Sequence, residues 1–190
     1  MIRRVPLFPA LALALAITIF AAAALATTRS PPRIGGHFAL TTADGRDVTD
    51  DTFRGKWLIV YFGYTFCPDA CPTALNEIGR ALYGLGELAD QVQPLFITVD
   101  PTRDTAQVLS DYLKSFDPRI VGLRGTPEQI EAAAKQYHVY YRPRRLGDGQ
   151  YAVDHSSYIY VMSPEGEFVR LLTGDLPGHK LAGELRKLVR

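Results

Sequence analysis

Cys67 and Cys71 are the chain's only two cysteines, four positions apart in Tyr64-Thr65-Phe66-Cys67-Pro68-Asp69-Ala70-Cys71-Pro72. Side chains four apart in a helical turn share a face, with Cβ atoms about 5–6 Å apart. Two thiolates so placed can clasp one soft metal ion, or close into a small-loop disulfide if the turn flexes. A staple between such near neighbours constrains the unfolded chain little, so a local pair points to a working site. The plain alternative is two buried cysteines acting as small core hydrophobes. Prolines at 68 and 72, at the junction of a strand and a helix, argue against it. Pro72 has no N–H to donate, which predicts a long helix starting there, with Cys67–Cys71 as a separate turn before it.

The elements that must position these thiols are legible on both sides. Trp57 to Phe62 is a short aromatic and aliphatic run that reads as a buried strand. Thr73 to Leu88 carries Leu75, Ile78, Leu82, Leu85 and Leu88 at the spacing of one helix face. A strand therefore delivers two thiols to the mouth of a helix, where unpaired N–H groups and the dipole favour thiolate over thiol. Around this unit, Phe38 to Asp47 reads as a hairpin turning at Ala43-Asp44-Gly45. Val92 to Val99 and Ile120 to Leu123 read as strands, and Thr105 to Phe116 as a helix. A further helix starts at Pro127 behind Thr126 and runs to Tyr137. Val139–Arg142, Tyr151–Val153, Tyr158–Met162 and Phe168–Thr173 are strand candidates, the last two joined at Pro164-Glu165-Gly166. Leu181 to Val189 closes the chain as a helix. Strands alternating with helices, then a hairpin and a final helix, predict an α/β sandwich with a central mixed sheet flanked by helices. The dithiol leaves the C-terminal end of a strand, where open α/β sheets place their sites. That order of elements is thioredoxin-like.

The chain has 190 residues, 21 basic and 20 acidic, which suits one domain and gives no bulk electrostatic case for nucleic acid. Its two methionines, Met1 and Met162, exclude a methionine-rich copper site. Arg3 and Arg4 precede an uncharged run from Val5 to Ala26, which describes a secretory signal or a signal anchor over residues 1–28. The run is of bilayer-spanning length, about 20 residues, which favours an uncleaved anchor although Ala24-Leu25-Ala26 has the form of a cleavage site. Residues 29–36, with Ser30-Pro31-Pro32, read as a tether that does not pack, and residues 37–190 as the exported domain. In an oxidising compartment a dithiol drifts toward disulfide unless something reduces it.

A third donor would complete a site. His155, in Val153-Asp154-His155-Ser156-Ser157, precedes the Tyr158–Met162 strand. In a thioredoxin-like layout the loop entering that strand packs on the dithiol turn, within reach of both sulfurs; a surface-loop histidine is the alternative. His138 reads as a helix-end or solvated residue, and His37 and His179 lie at the domain's edges. Two thiolates and one imidazole suit copper, since Cu(I) takes soft sulfur at low coordination number. Structural zinc normally takes four protein ligands, and no fourth is evident. Asp69, Asp154 or backbone carbonyls can orient the histidine from behind. Arg103 and Asp104 are placed to pair locally.

Three ordered motifs carry a resemblance: Tyr64–Thr73 around the cysteines, Val99-Asp100-Pro101-Thr102-Arg103-Asp104-Thr105, and Asp154-His155-Ser156-Ser157-Tyr158-Ile159-Tyr160. From about residue 35 to the end the chain resembles the Sco/SenC family, membrane-anchored thioredoxin-like copper chaperones for cytochrome c oxidase assembly. The resemblance implies that Cys67, Cys71 and His155 bind one copper, Cu(I) or Cu(II). It implies delivery to the CuA centre of cytochrome c oxidase subunit II. Other periplasmic copper chaperones or thioredoxin-like reductants would be further partners. It places the domain in the periplasm, tethered to a bacterial inner membrane, ahead of the mitochondrial inner membrane. The Asp100–Thr105 motif has no metal role derivable from its residues. A rival reading is a thiol–disulfide oxidoreductase that uses Cys67 and Cys71 to reduce the cysteines of the oxidase CuA site. A more distant one is a peroxide-reducing enzyme, with Arg103 as the only arguable support for its thiolate.

Overall fold

Two apolar stretches form the centre of the sheet and fix where everything else can go. The computed structural model describes residues 33–189. The predicted anchor or signal, and residues 29–32 of the tether, lie outside the described residues. In chain order the described residues form β1 (Ala39–Thr42), β2 (Asp47–Thr49), β3 (Trp57–Gly63), α1 (Ala70–Leu85), β4 (Val92–Thr98) and α2 (Ala106–Leu113). There follow β5 (Val121–Arg124), α3 (Pro127–Gln136), β6 (Tyr141–Gly147), β7 (Gln150–His155), β8 (Tyr158–Met162), β9 (Phe168–Thr173) and α4 (Gly178–Arg186).

The main sheet has the order β2-β1-β5-β4-β3-β8-β9, and β6 and β7 form a separate two-stranded hairpin. β3 and β4 run parallel and in step, from Trp57 beside Val92 to Gly63 beside Thr98. Both strands are almost wholly buried, as parallel strands covered on both faces must be. They leave the sheet at the same end and the same level, so the loops after them are neighbours. β8 runs antiparallel to β3 on its other side, with Tyr61 beside Ile159. The start of β8 therefore lies against the end of β3. This topology brings the chain before β8, including His155, to the cysteine turn.

Alternate residues of the strands face opposite layers. On one face Tyr61 stacks on Phe96, which meets Tyr112 near the end of α2. On the other, Phe62 and Tyr160 meet the Tyr137 ring just after α3. α1 buries Cys71, Ala74, Leu75, Ile78, Ala81, Leu82 and Leu85. α4 crosses α1 closely, its buried Gly178 lying over the Glu77 carbonyl. The mixed α/β, thioredoxin-like sandwich expected from the sequence is the fold observed.

Several boundaries differ from expectation. Ile34 to Gly36, expected in the tether, lie on the domain: Ile34 packs on the core and Gly35 N–H donates to the Gln136 carbonyl at 2.8 Å. Gly35 has φ +81°, and a Cβ there would meet the Met162 methyl at 2.3 Å, so this docking requires glycine. The closing helix is Gly178–Arg186, earlier than the expected 181–189. The strands expected at Val139–Arg142 and Tyr151–Val153 are parts of one longer hairpin, turning at Asp148-Gly149 with φ +49° and +75°. Positive φ at both central residues is the tight hairpin turn that Asp-Gly favours. α3 begins as predicted, with Pro127 in its first turn and a reciprocal Thr126–Gln129 cap. Among the described residues no helix is long and apolar enough to cross a membrane.

Candidate metal centre

The cysteine turn occupies Tyr64 to Asp69, and α1 begins at Ala70, so Cys71 stands in the first turn of the helix. The expected start at Pro72 is thus two residues late. Pro72 is the third helical residue, where an N–H has no intrahelical partner, so proline there breaks no hydrogen bond. Asp69 makes no side-chain cap. Instead the Cys71 N–H donates to Cys67 Sγ at 3.4 Å, which ties the first sulfur to the helix end.

Cys71 is fully buried and Cys67 partly exposed. His155 is the last residue of β7, inside the hairpin and not in the loop after it. Its Nε2 lies 3.3 Å from Cys71 Sγ. The ligand atoms of Cys67, Cys71 and His155 all fall within 4.8 Å of one another. The imidazole is oriented from behind, since its Nδ1–H donates to the Ser156 carbonyl at 3.0 Å, leaving the Nε2 lone pair toward the sulfurs. Tyr61 and Tyr64 meet the His155 ring edge-on, at 6.2 and 5.8 Å between centroids. The Tyr61 hydroxyl in turn is 3.0 Å from Ser157 Oγ.

The two thiols are not equivalent. A hydrogen bond from the Cys71 thiol holds Cys67 far below the ordinary thiol range, with the backbone N–H groups of Asp69 and Cys71 adding to it. The same bond, together with burial and the Cys67 charge, pushes Cys71 well above it. The pair therefore shares one proton, with the anion on the more exposed sulfur. Burial and the adjacent Cys71 also push the Tyr61 hydroxyl up, so it stays neutral.

Asp154 does not reach the histidine; its carboxylate pairs with Arg144 across the hairpin at 3.1 Å. The backbone carbonyl of Ser156 holds the ring instead. Asp69 lines an open cleft of about 610 Å³ beside His155, with Tyr140, Tyr158 and Asp175. Arg103 and Asp104 do not pair. Arg103 bonds Asp100 at 2.5 Å, while buried Asp104 accepts from Thr65 N–H at 3.0 Å, Thr65 Oγ1 at 2.6 Å and Thr98 Oγ1 at 2.6 Å. Two of the three Arg103 nitrogens are thus taken up, Nε by Asp100 and Nη1 by the Tyr151 carbonyl. The other described histidines lie away from the sulfurs. His37 bonds Asp50 at 2.8 Å, exposed His138 takes φ +55° at the end of α3, and His179 is exposed on α4.

Sequence reasoning missed Gly63, whose Cβ would lie 2.8 Å from Cys71 Sγ, and the Asp104 anchor under the cysteine turn. A glycine closing an otherwise bulky strand was the available signal for the first. Nothing local marked the second.

A thioredoxin-like sheet that brings two thiols and a remote imidazole into one cluster defines a protein that handles soft metals or thiols. The SCO1/SenC family model matches residues 26–190. Protein SenC of Rhodobacter capsulatus is 43% identical over 150 residues, 79% of this chain and 68% of the relative. The mitochondrial SCO1 homolog 1 of Arabidopsis thaliana is 46% identical over 138 residues, 72% of this chain. The chain spans 41% of that relative's length and 47% of the human mitochondrial SCO1 homolog. Among solved structures, copper-bound ScoI of Bradyrhizobium japonicum superposes with a TM-score of 0.76 at 42% identity, covering 81% of this chain and 98% of that one. Copper-bound yeast Sco1 does so at 0.76 and 40%, covering 82% and 88%. The chain belongs to the SCO1/SenC family.

Proposed function

We propose that the chain is a copper metallochaperone in which Cys67, Cys71 and His155 hold one copper ion as cargo. The observation that carries this is the convergence of two sulfurs and one imidazole nitrogen within 4.8 Å. Copper-bound relatives at about 40% identity support it. Cu(I) accepts such a sparse, soft set, whereas structural zinc wants a fourth protein donor. The partly exposed Cys67 thiolate is the first sulfur an incoming ion meets. Cys71 then releases its proton to become the second ligand, and Nε2 of His155 offers a lone pair without rearrangement. Release follows by exchange with competing thiolates on a receiver. The receiver in this reading is the CuA centre of cytochrome c oxidase subunit II. Residues 1–28 anchor the domain at the membrane, 29–33 link it, and 34–190 face the compartment outside the cytoplasm, the periplasm of a bacterium.

A second reading rests on the asymmetry of the thiols. An exposed thiolate beside a buried thiol is the pairing a thiol–disulfide reductant uses, Cys67 attacking a partner's disulfide and Cys71 resolving the mixed disulfide. A Cu(I) titration of the reduced full chain in detergent, against a competing chelator, separates the two. One copper per chain, lost in Cys67→Ala/Cys71→Ala and weakened in His155→Ala, is the expected result. Tight binding indifferent to His155 overturns the three-residue site. Failure to compete with a modest chelator moves the assignment to disulfide reduction.

A further inference from the structure

The Asp100–Thr105 motif supplies no donor to the site, yet its side chains reach both segments that do. The β6–β7 hairpin, which ends in His155, is outside the main sheet, so no sheet ladder fixes it to the body of the domain. Among the described residues, its hydrogen bonds to that body run through Tyr151, Val153 and His155.

We propose that Arg103 is the positioning residue that locks the histidine-bearing hairpin to the cysteine turn, an inference whose copper arm rests on the reading above. The guanidinium stacks over the Tyr151 ring at 3.6 Å, and Nη1 donates to the Tyr151 carbonyl at 2.8 Å. Tyr151 stands four residues before His155 in β7, so both side chains leave the strand on one face, with buried Val153 between them. Toward the cysteine turn, the guanidinium carbon lies 4.8 Å from the Phe66 ring centroid and 5.7 Å from that of Tyr64. Phe66 directly precedes Cys67, and Tyr64 carries the ring that meets His155 edge-on. Asp100, almost fully buried, closes the joint by accepting from Arg103 Nε at 2.5 Å and from the Tyr151 hydroxyl at 2.8 Å.

The joint suits arginine in particular. Its planar fork bonds a carboxylate and a carbonyl at once while its face stacks on aromatic rings, which a lysine ammonium cannot reproduce. Nη2 is buried with no hydrogen-bond partner among the described residues, a cost borne only where the aromatic contacts hold the group in place. Phe66 is 55% exposed, so the clamp lies at the lip of the site and not in the deep core.

The test uses the full chain in detergent with Arg103→Met and Arg103→Lys, each in the wild-type and the His155→Ala backgrounds. In the reduced metal-free protein, amide exchange over residues 150–156 should quicken about tenfold in Arg103→Met while β3 and β4 keep their protection. Cu(I) affinity should fall about tenfold or more in the wild-type background, the usual effect of losing a group that orients a ligand. In His155→Ala it should change less than about twofold, because the clamp acts through that histidine. Arg103→Lys should fall with Arg103→Met, and it carries the comparison if the methionine variant does not fold. Equal affinity losses in both backgrounds, or faster exchange throughout the sheet, would make Arg103 a general stability residue and overturn the proposal. So would unchanged exchange over the hairpin. A wild type that binds no copper would sink the chaperone reading alone, since the exchange arm needs no metal.

Discussion

Gly63 and Cys71 touch across the strand–helix junction, with no room for even one carbon between them: a Cβ on Gly63 would lie 2.8 Å from Cys71 Sγ and 2.8 Å from the Phe96 ring. Gly63→Ala therefore forces the buried sulfur or the ring aside. Overpacking of this kind costs about 1–3 kcal/mol. Urea unfolding should show that loss, and Cu(I) competition should show weakened binding. Gly183→Ala is the contrast, because its Cβ meets nothing within 4 Å in helix α4. It should gain roughly 0.5–1 kcal/mol by helix propensity and leave binding unchanged. Equal behaviour of the two variants would mean that the Gly63 contact relaxes freely.

The shared thiol proton gives stability an unusual dependence on pH. Cys67 has its folded pKa lowered, so its contribution is full above the ordinary thiol range, about 8.5, and is lost as pH falls below it. Cys71 has its folded pKa raised, so its contribution is full below that range and is lost as pH rises through it. The two slopes oppose each other. The stability difference between reduced metal-free wild type and Cys67→Ser/Cys71→Ser should therefore peak near pH 8.5 and decline on both sides, as measured by urea unfolding at several pH values. A difference that is flat in pH would show two ordinary thiols.

Metal loading tests the same asymmetry from another side. With Cys67 already ionised, Cys71 is the one thiol of the pair with a proton to give. Cu(I) binding near neutral pH should release about one proton per chain, where two ordinary thiols would release about two. Calorimetry in buffers of different ionisation enthalpy counts them. Release of two would place both thiols in the protonated state before loading.

Asp104 is the anchor beneath the cysteine turn, buried and accepting three hydrogen bonds. Burial pushes its carboxyl above the ordinary aspartate range, and the donors from Thr65 and Thr98 offset that only in part. Asp104→Ala would strand the Thr65 N–H and two hydroxyls, at a cost of about 3 kcal/mol or more. Because Thr65 stands two residues before Cys67, Cu(I) affinity should drop as well. Unfolding and chelator competition on one sample check both. A variant as stable as wild type would mean that water replaces the carboxylate.

What could be read in advance depended on how locally each feature is encoded. The α3 start was legible because Thr126, Pro127 and Gln129 act within four residues. The sheet order followed from apolar runs separated by helices. The β6–β7 hairpin was found only in two fragments, because nearly all of Tyr141–Gly147 is exposed and shows no apolar alternation. Asp148-Gly149 was the turn signal available there. The start of α1 was misjudged by giving Pro72 the first helical position, when the third tolerates proline equally. His155 could be brought to the sulfurs only through the assumed layout, since 84 residues separate it from Cys71. The partners of Arg103 and Asp104 were out of reach, because adjacency in sequence favoured pairing them with each other.

The antiparallel pairing of β8 with β3 has a consequence in time as well as space. Both thiols are synthesised, and cross any membrane, well before the strand that brings the imidazole beside them. Contacts so distant in sequence form late, after the cost of closing a long loop has been met. A chain that folded in an oxidising compartment would thus present a bare dithiol first, and the full donor set would appear only when the last third of the domain had docked. Full-affinity loading is then a mark of a finished fold, and chains stalled earlier are the ones exposed to oxidation.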